Sequence, residues 1–208
     1  MVEDKRISKS KQALRSALIQ LLQECSFEEL TVIQICSKAN VSRITFYAHY
    51  TDKYKLASEV IHQFMVETRL NFANLQSRLP GSSQDIIALM FHNLLDCFLG
   101  LLQTHLNFFQ YVNPQHSAYL YAEFSQQLLM CVNHLVESNI PADQFRYPVS
   151  VCTHIIGFHL LGFSMEALSA RRLQEEDIRC FHRILQDLLD AHVLLHRTSQ
   201  SARPAHLV

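Results

Sequence analysis

Three helix-start signals fall between Thr31 and Asp52, and their spacing leaves room for little except two very short helices joined by a tight turn. Thr31 is followed three residues later by Gln34, the capping-box pattern in which each side chain satisfies an orphan backbone N–H at the helix start. With Thr31 as N-cap, Leu30 and Ile35 fall at the two positions of a hydrophobic staple. The short helix Val32–Lys38 then meets Asn40, a residue that tolerates the left-handed backbone ending a helix. Ser42 is a fresh N-cap for a second short helix, Arg43–Tyr50. Thr51-Asp52 caps again and opens a long helix from Lys53 towards Arg78. Val32, Ile35, Cys36, Ala39, Val41 and Phe46 have the spacing of a small core between the two short helices. Ahead of them, Leu14, Ala17, Leu18, Leu21 and Leu22 recur at three- and four-residue intervals within Ser8–Cys25, giving a longer helix one apolar face. A longer helix followed by such a pair is a helix-turn-helix, although an ordinary helical hairpin carries the same local signals.

The remainder also reads as helical. Four Gly and five Pro in 208 residues are too few for a turn-rich all-β chain. Pro80-Gly81-Ser82-Ser83 is a clear breaker. Beyond it the pattern predicts helices over Gln84–His105, Leu106–Tyr111, Ser117–Ser138, Val149–Ala170 and Gln174–Arg197. Pro114, the Ile140-Pro141-Ala142-Asp143 turn and Tyr147-Pro148 separate them. The expected fold is therefore all-α. A three-helix helix-turn-helix domain occupies 1–55, a helical bundle 56–197, and a tail of little periodicity 198–208. Ile155, Ile156, Phe158, Leu160, Leu161, Phe163, Met165 and Leu168 surround much of one helix; Ile178, Phe181, Ile184, Leu185, Leu188, Leu189 and Leu195 stripe the next. A helix apolar on more than one face is buried on more than one face. These two helices are thus expected at the centre of the bundle or in a homodimer interface, with Gly157 and Gly162 allowing close helix approach.

Charge divides the chain. Residues 1–55 hold nine Lys and Arg against six Asp and Glu, the remainder nine against thirteen, and every lysine precedes position 56. A basic first quarter on a mildly acidic body points to a polyanion meeting the first quarter alone, beside the blander reading of a solvated charged face. The longest apolar runs, Ile86–Phe91 and Ile155–Leu161, fall short of the roughly 18–20 residues that span a bilayer. MVEDKRISKSKQ has charges and no apolar stretch, so no signal peptide and no membrane partner are expected, and a cytoplasmic location is. The six cysteines are scattered without a C-x-x-C and read as reduced thiols. His192 with His196, and Cys131 with His134, have metal-pair spacing but no third ligand, so no metal is expected. Neither a G-x-S-x-G, a phosphate-cradling glycine loop nor an H-E-x-x-H is present; the chain is not expected to be an enzyme or to need a cofactor.

The stretch LTVIQICSKANVSRITFYAHYTDKYKL, Leu30 to Leu56, closely resembles the DNA-binding motif of the TetR family of bacterial transcriptional regulators. It matches a Thr-capped second helix, a turn ending in Val-Ser, a Phe-Tyr pair, then His-Tyr and a following Lys. The resemblance covers residues 8–60. It implies double-stranded DNA with a palindromic operator as partner, a homodimer through the last two helices, and a repressor released by a small-molecule effector. On the matching positions, Ser42 would start the recognition helix, with Arg43 and Thr45 at its front facing base edges or phosphates. Tyr47 and His49 would bond the duplex backbone, Lys53 would pair with a phosphate, and Thr31 would both cap its helix and approach the backbone. Phe46 and Tyr50 read as core. The chain departs from the family pattern at Ile44 and Ala48; an exposed Ile44 would touch a thymine methyl or support the neighbouring helix.

Polar residues within the apolar body, His92, Asn93, His105, Tyr111, Tyr119, His154 and His159, are the candidates for an effector site, since a few polar groups in an apolar cavity orient a small ligand. The competing account has them satisfying one another or facing water. The alternative function keeps the DNA-binding head and gives a ligand-free body to a partner protein.

Overall fold

The computed structural model describes residues 5–76, 84–169, 174–191 and 194–195. Among these residues the elements are all helical, and they run α1 (Lys5–Leu21), α2 (Val32–Ala39), α3 (Arg43–His49), α4 (Lys53–Gln76), α5 (Gln84–Thr104), α6 (Leu106–Phe109), α7 (Ala118–Asn139), a 3-10 turn (Ala142–Gln144), α8 (Val149–Ser169) and α9 (Glu175–Asp190).

The short helices form because their ends are satisfied locally. Thr31 Oγ1 accepts from the Gln34 N–H at 3.2 Å while the Thr31 N–H donates to Gln34 Oε1 at 2.8 Å, which completes the capping box. α2 ends where Asn40 takes φ 52° and ψ 47°. The Asn40 N–H then reaches Ser37 O and the Val41 N–H reaches Cys36 O, a Schellman closure that employs carbonyls the helix leaves open. Ser42 Oγ accepts from the Thr45 N–H at 3.1 Å, and Asp52 Oδ1 from the Lys55 N–H at 2.8 Å. α1 lies against α2, α3 and α4. Leu14, Leu18, Leu22, Ile35, Phe46 and Tyr50 fill the resulting core, with Val32, Ala39 and Val41 packed at its edge. The aromatic pair expected in the core, Phe46 and Tyr50, is there.

α4 starts in this head and continues into the body, where it packs on α5 and α7; α8 packs on α7 and α5, and α9 on α5. Phe64, Phe98, Phe108, Phe109 and Phe124 make a buried aromatic chain through the middle. Each such side chain contributes about 1.5–3 kcal/mol by leaving water.

Three expectations change. Two helices, over Ile86–Thr104 and Val149–Glu166, have the length and apolar composition of a membrane-crossing helix, more than the short apolar runs suggested. Inside the bundle 56% of the first span and 39% of the second are buried. Second, α9 stops at Asp190, not at Arg197. Leu194 and Leu195 keep helical spacing in the sequence, yet both are buried outside the helix: Leu195 bridges Phe145 antiparallel, and Leu194 O accepts from the Arg146 N–H at 3.0 Å. His192, His196 and the tail expected at 198–208 lie outside the described residues. Third, only one of the two glycines allows a close approach. A Cβ on Gly157 would collide with the Leu129 side chain of α7, whereas one on Gly162 meets nothing within 4 Å.

The glycine contrast is testable by urea unfolding. Gly157→Val overpacks the α7–α8 contact and should cost about 1–3 kcal/mol. Gly162→Ala fills open space and should gain about 0.5–1 kcal/mol from the stiffer helix.

Candidate nucleic-acid interface

The front of α3 carries side chains that the fold itself does not use. Phe46, on the inner side of that helix, is fully buried, and its neighbours on either side point away from the core. Ile44 is 84% exposed and Tyr47 51%. Among the described residues neither the Arg43 guanidinium nor the Tyr47 hydroxyl has a hydrogen-bond or ion-pair partner. The Tyr47 ring is steadied edge-on against Phe46, with centroids 5.4 Å apart, and the half-buried His49 lies edge-on to Tyr50 at 6.3 Å. Thr45 Oγ1 shares a hydrogen bond with Ser42 Oγ at 2.9 Å, which fixes the first turn. Arg43, Ile44 and Tyr47 are thus presented outward from a helix held by its cap below and by Phe46 behind. Thr31 stands exposed at the start of α2, and Ile33 on the same helix is exposed as well.

Lys53 is placed differently from the phosphate-pairing role implied for it. Its Nζ donates to Phe27 O, Glu28 O and Leu30 O, each at 2.8 Å. An ammonium has three protons, and all three are engaged. The cation also lies 5.0 Å from the Phe27 ring centroid and 5.4 Å from that of Tyr54. Burial draws its pKa below the usual lysine range, with Glu28 pulling the other way. Contact with a phosphate would require Lys53 to release at least one carbonyl of the turn between α1 and α2.

That turn is also where the head meets the body. Phe27 stacks on Tyr119 of α7, with centroids 5.4 Å apart and planes 12° apart. The Tyr119 hydroxyl donates to Tyr54 O at 3.2 Å, and the Ser117 hydroxyl donates to the Glu28 carboxylate at 2.7 Å. Burial pushes the Tyr119 phenol up to about 12, with Glu123, Asp52 and Tyr54 adding to the shift. A raised phenol pKa means that this contact is fully present below about pH 10 and is lost as the pH climbs through the folded value. On the other side of α4, Glu59 accepts from Arg15 at 2.9 Å and from the Tyr50 hydroxyl at 3.0 Å, and pairs with Lys11 at 3.5 Å. Phe27, Glu28, Glu59 and Ser117 escape the sequence reading. Phe27 sits in a segment that reads as a helix breaker, and its one signal is a large aromatic where a solvated turn needs none.

The candidate effector residues do not converge. His92 pairs with His182 and Gln186 on α9; His105 bonds Glu67 at 2.9 Å beside the Phe64 ring; Tyr119 belongs to the head–body joint; His154 is exposed, bonded to Ser150 O. Tyr111 lines a cleft of about 220 Å³ with Cys25, Phe27 and His116, also at the joint. Only His159 faces an apolar cavity inside the bundle, among Phe91, Leu95, Ile156, Phe163 and Leu185. That cavity is about 20 Å³, room for about one water molecule. Cys131 is buried and His134 exposed, so they do not form a pair, and among the described residues no three His, Cys, Asp or Glu side chains are grouped to hold a metal. The described cysteines are free thiols, and burial raises Cys97 and Cys131 to about 11.

Comparison with known proteins agrees with this geometry. Residues 10–60 match the family profile of bacterial regulatory proteins, tetR family. No curated protein matches the chain in sequence. Among solved structures, a protein described as a TetR-family transcriptional regulator from Syntrophomonas wolfei aligns with a TM-score of 0.74 at 16% identity, over 91% of this chain and 99% of its own. The fatty acid degradation regulator FadR from Bacillus halodurans aligns at 0.67 and 12% identity, over 89% and 96%. NalD of Pseudomonas aeruginosa, the secondary repressor of the MexAB-OprM multidrug efflux pump, aligns at 0.55 and 16% identity, over 91% and 98%. At these identities the likeness is one of fold. Residues 10–60 thus match the tetR-family profile, and the chain as a whole has the fold of solved proteins described as TetR-family regulators.

Proposed function

We propose that this TetR-family regulator binds a palindromic operator as a homodimer and acts as a repressor. In this reading residues 1–55 contact DNA, 56–197 form the regulatory and dimerising body, and 198–208 form a tail. The observation that carries it is the outward presentation of Arg43, Ile44 and Tyr47 from a helix whose cap and core side are already satisfied. Arg43 and Thr45 then face base edges or nearby phosphates, while Thr31, Ser42, Tyr47 and His49 position the head on the duplex backbone. Lys53 acts from behind, by holding the turn that seats α2 and docks on α7.

Dimerisation is assigned to α8 and α9. Val151, Phe158 and Met165 recur every seven residues along α8 and remain exposed, Phe158 at 59%; Ile184 of α9 is exposed too. An apolar stripe of this kind is covered in oligomers. A two-fold axis there would place two recognition helices at half-sites about one DNA turn apart.

For control of the body, an effector would enter beside His159 by parting α5, α8 and α9, since the cavity there holds no more than a water. Its small size favours a second reading, in which a partner protein addresses the body. A ligand or partner that prefers the head spacing unsuited to DNA supplies the coupling, which typically amounts to about 1–3 kcal/mol.

Two experiments check the assignments. Operator titrations over a series of salt concentrations separate contact from support. Tyr47→Phe should weaken binding by about 1 kcal/mol, roughly fivefold, with the salt slope unchanged. Lys53→Met should destabilise the head by about 2 kcal/mol, through its lost charge-assisted bonds, and also leave the slope unchanged. A slope reduced by about 0.9 in that variant would make Lys53 a phosphate ligand. Separately, Phe158→Glu should convert the dimer to a folded monomer in sedimentation velocity; an unchanged dimer would move the interface elsewhere.

A further inference from the structure

The contact between α5 and α9 holds a histidine pair that DNA binding leaves unused. His92 and His182 approach through their Nδ1 atoms, 2.8 Å apart. Their ring centroids are 5.0 Å apart and their planes 25° apart. That centroid separation is close to the largest that two imidazoles can reach at this Nδ1 distance. The rings therefore meet edge to edge, with their Nδ1 lone-pair axes nearly in line. Both remaining nitrogens are engaged. The Gln186 amide nitrogen donates to Asp190 Oδ1 at 2.8 Å, so it is Gln186 Oε1 that meets His92 Nε2 at 2.8 Å, and that Nε2 carries a hydrogen. His182 Nε2 lies 2.9 Å from Asp96 Oδ1 and donates to this carboxylate.

With a hydrogen on each Nε2, two neutral rings would turn lone pair against lone pair at 2.8 Å. Two imidazolium rings would turn N–H against N–H and place two positive charges together. A single proton resolves the contact: one Nδ1 donates, the other accepts, and the pair carries one positive charge beside the Asp96 carboxylate.

We propose that His92 and His182 bind one proton between them, and that this shared proton latches α9 onto α5. The geometry selects a proton over a metal ion. Zinc takes its ligands tetrahedrally with Zn–N bonds of about 2.0–2.1 Å, which would hold the two nitrogens roughly 3.3 Å apart with their lone-pair axes converging at an angle, not nearly in line. A separation of 2.8 Å is a hydrogen-bond distance.

The surroundings add few competing charges. Asp96 on α5 and, behind Gln186, Asp190 on α9 are the ionised groups tied to the pair. Arg179, one turn away on α9, is paired with Glu175, and Arg183 and Asp187 complete that helix's nearby charges. From α8 come His159, engaged on Ile155 O, and the exposed His154 and Glu166; from α4 and the start of α6 come Glu67 and His105, paired with each other. Closing the latch takes up a proton where both separated rings are neutral and releases one where both are protonated. Its contribution is greatest where the pair holds that single proton. It declines on the alkaline side as the proton leaves and on the acid side as a second arrives. Because α9 also carries Ile184, the latch sets the seat of a helix in the proposed dimer face. That bearing rests on the dimer reading; the shared proton does not.

The test uses the full-length protein labelled with 15N-histidine. Two-bond 1H–15N correlation spectra across pH 5–8 should show Nε2–H on both rings and one slowly exchanging proton correlated with both Nδ1 atoms, with those signals assigned by their loss in His92→Gln and His182→Gln. Thermal unfolding over the same range should give a stability maximum that either variant loses. An Nδ1–H tautomer on either ring, or two rings that titrate independently, would overturn the proposal. So would a wild-type stability profile without the maximum. Signals abolished by a chelator and restored by Zn²⁺ would replace the proton with a metal and overturn it equally.

Discussion

Lys53 places a positive charge at the point where three carbonyls of the turn between α1 and α2 converge, with two aromatic rings limiting its access to water. The head takes its form around that contact. The turn of residues 27–30 leads directly into the Thr31 cap, so its position decides where α2 begins and hence where α3 is carried. The same turn offers Phe27 and Glu28 to the start of α7. One ammonium therefore ties together the beginning of α4, the support of the recognition helix and the attachment of head to body. Hydrogen bonds to a charged donor are the stronger kind, which makes a tripod of them a firm joint for a domain of this size.

Movement in the body has two routes into the head. α4 is continuous between them, and the Tyr119 ring and the Ser117 hydroxyl reach the 27–30 turn from the start of α7 and its cap. A shift of α7 relative to α4 would strain the joint that Lys53 closes, and it would do so without passing through the outward side chains of α3. Head and body are otherwise organised for opposite purposes. The head leaves polar and cationic groups outward on α3, whereas the body leaves apolar ones outward on α8.

The local parts of this architecture were legible in the sequence. Thr31, Gln34, Asn40, Ser42 and Asp52 act on backbone groups within a few residues of themselves, so their pattern predicts their geometry. The carbonyl partners of Lys53 are not legible in the sequence because they lie 23 to 26 residues away, and a lysine after a helix cap looks the same whether it faces a phosphate or a ring of carbonyls. The end of α9 was misjudged because Leu194 and Leu195 continue a helical spacing while burying themselves against Phe145. The polar residues of the body gave no sign of their partners: His92 meets His182 across 90 positions, and no periodicity links two helices that far apart. Gly157 and Gly162 look alike in sequence, and only the Leu129 side chain distinguishes them.

The most direct test of the central claim, that α3 reads a base sequence from a two-fold symmetric protein, is hydroxyl-radical footprinting on fragments selected from random DNA by the purified full chain. The account predicts enrichment of an inverted repeat, with protected backbone segments on each half-site related by two-fold symmetry and centres about one helical turn, or a multiple of it, apart. Protection without an enriched sequence, or an enriched site without internal symmetry, would contradict it.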